Sequence, residues 1–175
     1  GNVIYRIIDG DLDGSAKVIS TSVVSDNSVG YSDTDKSKIY NPTKKGNVGY
    51  YIENELSKSI KKDIFIKKEI EVPIYDKLAT YSGKKTVKKY KVSLAAPDMY
   101  EMFSGVNSGT TSQYWLRNSS KEQFRKYLVS NTNIIYYNQV LDTMQAGVRV
   151  VGYINKDATI LSGKGTYSNP YILEK

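Results

Sequence analysis

The chain has 175 residues, 25 Lys and Arg against 18 Asp and Glu, a formal net charge of +7 and 39% hydrophobic residues, which suits one modest, slightly polar globular core. It contains no Cys and no His, which excludes disulfides, thiolate nucleophiles, Cys/His zinc sites, Ser-His-Asp triads and Cys-His dyads. No apolar run approaches the roughly 20 residues of a membrane helix and no signal peptide is visible, although Gly1 in place of Met creates the expectation of a processed chain whose export signal or N-terminal anchor was removed.

In chain order, Asn2–Ile8 alternates Val3, Tyr5 and Ile7 with Asn2, Ile4 and Arg6, the pattern of a strand buried on at least one face. Asp9–Ser15 is a turn, and Ala16–Thr21 returns as a second strand through Val18 and Ile19. Residues 22–46 are rich in Ser, Asp, Asn, Lys and Gly without a sustained period, and predict a long, irregular surface loop. Val48–Lys62 predicts the main helix: Val48, Ile52, Leu56 and Ile60 recur every four residues, and Asn47 is placed to cap the first turn. Glu53 and Glu55 precede Lys58, Lys61 and Lys62, the order a helix dipole favours.

Ile64–Tyr75 predicts a strand in which Pro73 marks an edge or terminus, because Pro cannot donate to a ladder. Tyr81–Lys85 is a turn and Thr86–Leu94 the returning strand. A short second helix follows at about 97–103, with Pro97 at its first position, and 104–112 is a Gly/Ser/Thr/Asn loop. Phe124–Val129 and Ile134–Val140 flank the turn Ser130–Asn133 as a hairpin, with a short helix over Lys121–Val129 as the alternative. Val148–Ile154 predicts a central strand, and Ile160–Leu173 a closing hairpin. No repeat, heptad or linker appears, so residues 1–175 form one expected domain of the α+β class, a twisted, mostly antiparallel sheet with these two helices.

The scarce residue types mark the centre of this arrangement. Only four of the 25 basic residues are Arg, and Arg117 and Arg149 sit in Tyr114–Ser119, beside the single Trp115, and in Gly147–Val151. Arg is forked and always charged, so it suits fixed, partly buried pairing where Lys stays solvated. Trp115, Arg117 and Arg149 are therefore expected to be structural, the two arginines pairing with backbone carbonyls or with a carboxylate such as Asp98 or Glu101.

The order of pieces resembles a known family. Tyr5-Arg6-Ile7-Ile8, Tyr81-Ser82-Gly83-Lys84-Lys85-Thr86-Val87 before Lys91-Val92-Ser93-Leu94, Tyr114-Trp115-Leu116-Arg117-Asn118-Ser119, Gly147-Val148-Arg149-Val150-Val151 and Ser162-Gly163-Lys164-Gly165-Thr166 with Asn169-Pro170-Tyr171 carry the likeness. It is to a domain of unknown function in surface, lipoprotein-like and pilin-like proteins of Gram-positive bacteria. Val150 stands where that family usually has Pro. The Trp-Leu-Arg and Gly-Val-Arg pair is also similar to the core of C-type-lectin-like folds, including the formylglycine-generating type, whose copper-binding Cys pair has no counterpart here. The resemblance implies a twisted β core with flanking helices and a location at the cell surface or pilus.

Three clusters carry possible binding chemistry. Asp9, Asp11 and Asp13 with Gly14 match the start of a calcium loop, which supplies alternate carboxylates and a Gly for the bend. The twelfth position is Ser20 where a bidentate Glu is wanted, and a polar hairpin turn explains the same letters. Lys84, Lys85, Lys88, Lys89 and Lys91 around Tyr90 could follow an anionic wall polymer or, as the competing reading, nucleic acid; the plain alternative is an edge strand guarded by lysines. Among sixteen Tyr, those at 114, 136 and 137 offer faces for a sugar or protein contact. Glu53/Glu55 and Glu69/Glu71 are the remaining carboxylate pairs, on faces expected to be solvated, and no enzyme is expected from them. The expected function is non-enzymatic binding of a glycan, wall polymer or protein partner outside the cell, with no cofactor beyond the calcium option; a basic nucleic-acid-binding protein is the rival.

Overall fold

The strand expected at the start of the chain forms one arm of an antiparallel hairpin, but its alternation breaks: Ile7, expected on the buried face with Val3 and Tyr5, is 64% exposed, and Ile8 packs on the core in its place. Tyr5–Gly10 pairs with Ala16–Ser20 through a bulge between Ile7 and Asp9, and the turn between them closes on Gly14 at a φ of 82°. The computed structural model describes residues 3–24, 29–31, 39–60, 62–76, 85–104, 113–121, 126–130, 133–136, 144–164, 166, 168–169 and 171–174. Strands dominate these residues, and short helical stretches accompany them.

Val151–Ile154 lies inside the largest sheet. It pairs antiparallel with Ala16–Ser20 on one side, and on the other with Phe65–Ile66 and Leu94–Ala95 placed end to end. Gly152 makes this possible: a Cβ there would lie 2.7 Å from Cδ1 of Phe65 and 2.8 Å from the Ser93 carbonyl oxygen. The Phe65 ring thus rests on bare backbone and meets Tyr5 edge-on at 5.4 Å. Among the described residues the Tyr5 hydroxyl is the one buried side-chain oxygen without a hydrogen bond.

A second sheet pairs Lys68–Tyr75 antiparallel with Lys85–Val92 and, from Ile74 onward, parallel with Ser119–Ser120. Pro73 therefore lies in the middle strand of a three-stranded sheet and not at the expected edge. The reason is directional. The carbonyls of Glu71 and Tyr75 accept from Arg117 Nε at 2.8 Å and from the Lys121 amide at 2.9 Å, so residues 71, 73 and 75 turn their polar groups away from Lys85–Val92. Proline's missing N–H falls on that far side, just before the parallel ladder begins, and removes no bond between the long strands.

Tyr127–Ser130 runs between Asn133–Tyr136 and Tyr114–Trp115, so the strand alternative holds where the sequence left a helix open. Thr159–Ser162 and Ile172–Glu174 form the closing hairpin. Val29–Gly30 pairs with Gln145–Ala146. The single expected sheet is thus divided into several small ones.

Two expectations need correction. The helix from Val48 is one α-turn, Val48–Tyr50, followed by a π-turn over Tyr51–Glu55 and a 3₁₀ turn over Leu56–Lys58. An apolar residue at every fourth position drifts by about 40° per step on a turn of about 3.6 residues; the wider π-turn takes up that drift, and Val48, Ile52, Leu56 and Ile60 are all buried. Asn47 does cap it, accepting from the Gly49 amide at 3.0 Å. The 22–46 stretch is not only surface: Tyr31 and Tyr40 are fully buried in the core with Ile19, Ile52, Leu94 and Trp115.

Candidate functional site

Backbone bonds on both sides aim Arg117 inward. Upstream, Tyr114–Trp115 pairs with Val129 and Leu128, and the Trp115 amide donates to the Gly147 carbonyl at 3.2 Å. Downstream, Ser119–Ser120 joins Ile74–Tyr75. The Arg117 amide itself donates to the Pro97 carbonyl at 3.0 Å. Its side chain, 3% exposed, is enclosed by the protein's own oxygens. Nε donates to the Glu71 carbonyl; Nη1 to the Ala96 carbonyl at 2.9 Å and to Glu101 Oε2; Nη2 to Asp98 Oδ2 at 2.8 Å and to Glu101 Oε1 at 2.9 Å. Each of the five guanidinium N–H donors thus has an acceptor.

The same two carboxylates start the second helix, Met99–Ser104. Asp98 Oδ1 accepts from the Glu101 amide at 2.9 Å, and Glu101 Oε2 accepts from the Asp98 amide at 2.9 Å. That reciprocal pair is a capping box, with Asp98 as cap and Pro97 one residue outside the helix. Asn118, next to Arg117, accepts from the Met99 amide at 3.0 Å. The helix start and the guanidinium therefore fix each other. Lys17 from the first hairpin pairs with Glu101 Oε1.

Burial alone would raise the Glu101 carboxyl, but the Arg117 charge and its hydrogen bonds, with Lys17 beyond, hold it down at about 2. Burial would lower Arg117, but Glu101 and Asp98 raise it. Lys17 behaves likewise, with Glu101 outweighing its burial. Close by, Ser119 Oγ meets the Tyr31 hydroxyl at 3.1 Å, accepts from the Tyr40 amide at 2.9 Å and donates to the Arg117 carbonyl at 3.3 Å. Burial pushes the Tyr31 and Tyr40 hydroxyls well above their ordinary value.

Arg149 is 1% exposed and differently held. Nε donates to the Ser20 carbonyl at 2.9 Å, Nη2 to the same oxygen, and Nη1 to the Tyr114 hydroxyl at 3.3 Å, with the guanidinium 5.2 Å from the Tyr114 ring centroid. Its partners are all neutral, where those of Arg117 include two carboxylates. Trp115 is fully buried and meets Tyr31 edge-on at 5.3 Å. Tyr114, expected to offer its ring to a ligand, lies inside among Met99, Met102, Leu116 and Tyr127. Tyr136 ends its strand opposite Tyr127. Tyr137 and Lys84 lie outside the described residues.

The aspartate cluster closes on a lysine. Lys68 Nζ pairs with Asp11 Oδ2, and with Asp13 Oδ2 at 2.6 Å, while lying 4.9 Å from the Tyr153 ring centroid. Asp13 Oδ1 accepts from the Ser15 amide at 2.9 Å, and Asp9 accepts from its neighbour's amide at 2.8 Å. Hydrogen bonds from Lys68 lower both Asp11 and Asp13. An ammonium thus stands between the two carboxylates that a cation would use. Among the described residues no three potential metal-ligating side chains gather at one point.

The basic strand is divided by its pairing. Lys89 and Lys91 sit opposite Glu71 and Glu69 on the outer face, where Lys89 Nζ lies 2.8 Å from Glu69 and 3.9 Å from Glu71. Lys88 shares the other face with Tyr90.

Two buried charges escaped the sequence reading. Glu53, expected on a solvated face, is buried, and its Oε2 accepts from the Ser93 and Leu94 amides at 3.0 and 3.1 Å. Lys126 is 0% exposed, with Nζ 4.9 Å from the Tyr31 ring centroid. The D-x-x-E spacing after Pro97 is the one signal that could have located the capping box; nothing in the letters around Glu53 or Lys126 marks them.

Comparison with known proteins finds no matching family model, no matching curated protein and no matching solved structure.

Proposed function

We propose that the chain is a non-enzymatic domain displayed at the surface or pilus of a Gram-positive bacterium, built on a C-type-lectin-like core, that binds a glycan, wall polymer or protein partner. The observation that supports binding over chemistry is the saturation of the buried charges. All five N–H groups of Arg117 meet protein oxygens, and the buried carboxylates Glu53 and Glu101 hold backbone amides. These groups maintain the fold and leave recognition to the surface, where the Lys85–Val92 strand carries exposed lysines. The surface location rests on the sequence resemblance alone.

The test is an array of glycans, anionic wall polymers and oligonucleotides, probed with the purified chain at low and high salt. Saturable retention of a glycan that survives high salt supports the lectin-like form of the reading. Salt-sensitive retention of oligonucleotides above wall polymers would favour a nucleic-acid binder instead.

A further inference from the structure

Among the described residues the strand Lys85–Val92 pairs on one side only. It forms eight successive antiparallel pairs with Lys68–Tyr75, from Tyr75 opposite Lys85 to Lys68 opposite Val92, without a bulge. Because Glu71 and Tyr75 turn their carbonyls toward Arg117 and Lys121, residues 70, 72 and 74 make the bonds to Tyr90, Lys88 and Thr86 respectively. The backbone groups of Lys85, Val87, Lys89 and Lys91 therefore point away from the sheet. Among the described residues no strand pairs with that edge.

We propose that this edge is a docking site for an extended, acidic segment of a partner protein, which adds to the sheet as a further strand. The proposal deepens the binding reading above by naming the kind of partner. Two features of the edge carry it. The first is length: a regular, open edge of this extent offers several donors and acceptors to an incoming backbone, the basis of strand addition. The second is charge. Lys85, Lys89 and Lys91 lie on one face of the strand and Lys88 on the other, so alternate side chains of an incoming strand meet an ammonium on either face. Among the described residues Glu69 and Glu71 engage Lys89 and no other lysine of this strand.

Lysines on an edge normally discourage pairing. What they discourage here is a copy of the same strand, which would bring like charges together. An acidic strand meets the opposite field, so the same residues reject self-association and select a partner. Val87, 39% exposed between these lysines, sits opposite Pro73 and adds a small apolar contact.

The experiment measures binding of a fluorescent peptide alternating Glu and Thr to the full chain by anisotropy. A second peptide with the same side chains is N-methylated at every residue, which keeps the charges and removes every amide donor. Strand addition predicts saturable binding that weakens as salt screens the lysines, and a loss of at least about tenfold on N-methylation, since several backbone hydrogen bonds disappear together. Val87→Pro removes an N–H that points off the sheet and spares the ladder to Lys68–Tyr75; it should keep the parent melting curve and weaken the unmodified peptide about tenfold. If Val87→Pro unfolds, the two peptides on the parent chain decide alone. Equal binding of the two peptides, or displacement of both by polyphosphate at matched charge, would identify a surface for anionic polymers and overturn strand addition. No peptide binding would overturn it too, while retention on the glycan array would leave the broader binding reading standing.

Discussion

Glu101→Gln tests whether the buried ion pair or mere packing holds the second helix. In the folded chain the carboxyl lies at about 2 against an ordinary 4.5. A folded-state value below the unfolded one means that the ionised form stabilises the fold above about pH 4.5 and that this contribution disappears as pH falls through about 2. At about 1.4 kcal/mol per pH unit, the contribution is about 3 kcal/mol near neutrality and less than half of that at about pH 3. Breaking a buried pair by removing one partner costs about 3–5 kcal/mol in general, so the size is reasonable. Gln keeps the shape and cannot ionise. Urea unfolding followed by fluorescence of the single Trp115 should show the variant about 3 kcal/mol less stable at about pH 6, and the gap should more than halve by about pH 3. Carboxylates remote from Arg117 contribute equally in both proteins and cancel in the difference. A gap of constant size across that range would refute the ionic account and leave only packing.

Other perturbations separate further parts of the design. Arg117→Met leaves Glu101 and Asp98 without their cation and should cost about 3–5 kcal/mol; Arg149→Met removes a cation whose partners are a carbonyl and a phenol, and should cost clearly less in the same unfolding assay. A larger loss at Arg149 would reverse the ranking of the two sites. Trp115→Ala should cost about 3–5 kcal/mol through loss of a large core side chain, and a near-parental melting curve would contradict its burial. Gly152→Ala brings a Cβ to 2.8 Å from a carbonyl oxygen that cannot swing away, so it should cost about 1–3 kcal/mol by overpacking; thermal melting reads this directly. Lys68→Ala vacates the space between Asp11 and Asp13, so calcium at roughly millimolar levels, the affinity range of weak extracellular sites, should raise the melting temperature of that variant more than that of the parent.

The sequence exposed what depends on residue rarity and on period two. Arg is rare here and Lys abundant, so an Arg beside the only Trp was a pointer to fixed pairing, and Asp98 and Glu101 were within reach of that argument. Strands were legible where apolar and polar residues alternate, as at Lys68–Tyr75; at Tyr5–Gly10 the bulge after Ile7 breaks the alternation and leaves Ile7 exposed. The turn of the 48–58 stretch was not, because a spacing of four is compatible with both α and π winding and tertiary contacts choose between them. Glu53 shows why: its carboxylate binds two amides some forty residues later in the chain. Tyr31 and Tyr40 were hidden for a related reason. Polar neighbours dominate their windows, and their hydroxyls find buried partners in the distant Ser119 and Ala96.

The charged groups also form a graded series that no local window contains. From the interior outward run Arg117, Glu101 and Lys17, then the Tyr153 ring with Lys17 Nζ at 5.5 Å and Lys68 Nζ at 4.9 Å, then Lys68 with Asp11 and Asp13. The chemistry is the same at both ends, alternating cation and carboxylate, but the surroundings differ. At Arg117 a missing partner would strand a charge in the core, so the arrangement tolerates little change. At Lys68 water can replace either partner, and the pairing mainly holds the turn in place. Lys17 and Lys68 are equally exposed, at 19% each, but the partner of Lys17 is the buried Glu101 while those of Lys68 are Asp11 and Asp13 at 40% and 52%. Substitutions along the series should therefore lose their effect on stability as the whole pair becomes exposed, and Lys17 should fall between the two ends. An effect of Lys17→Met as large as that of Arg117→Met would mean that burial is not what sets the scale.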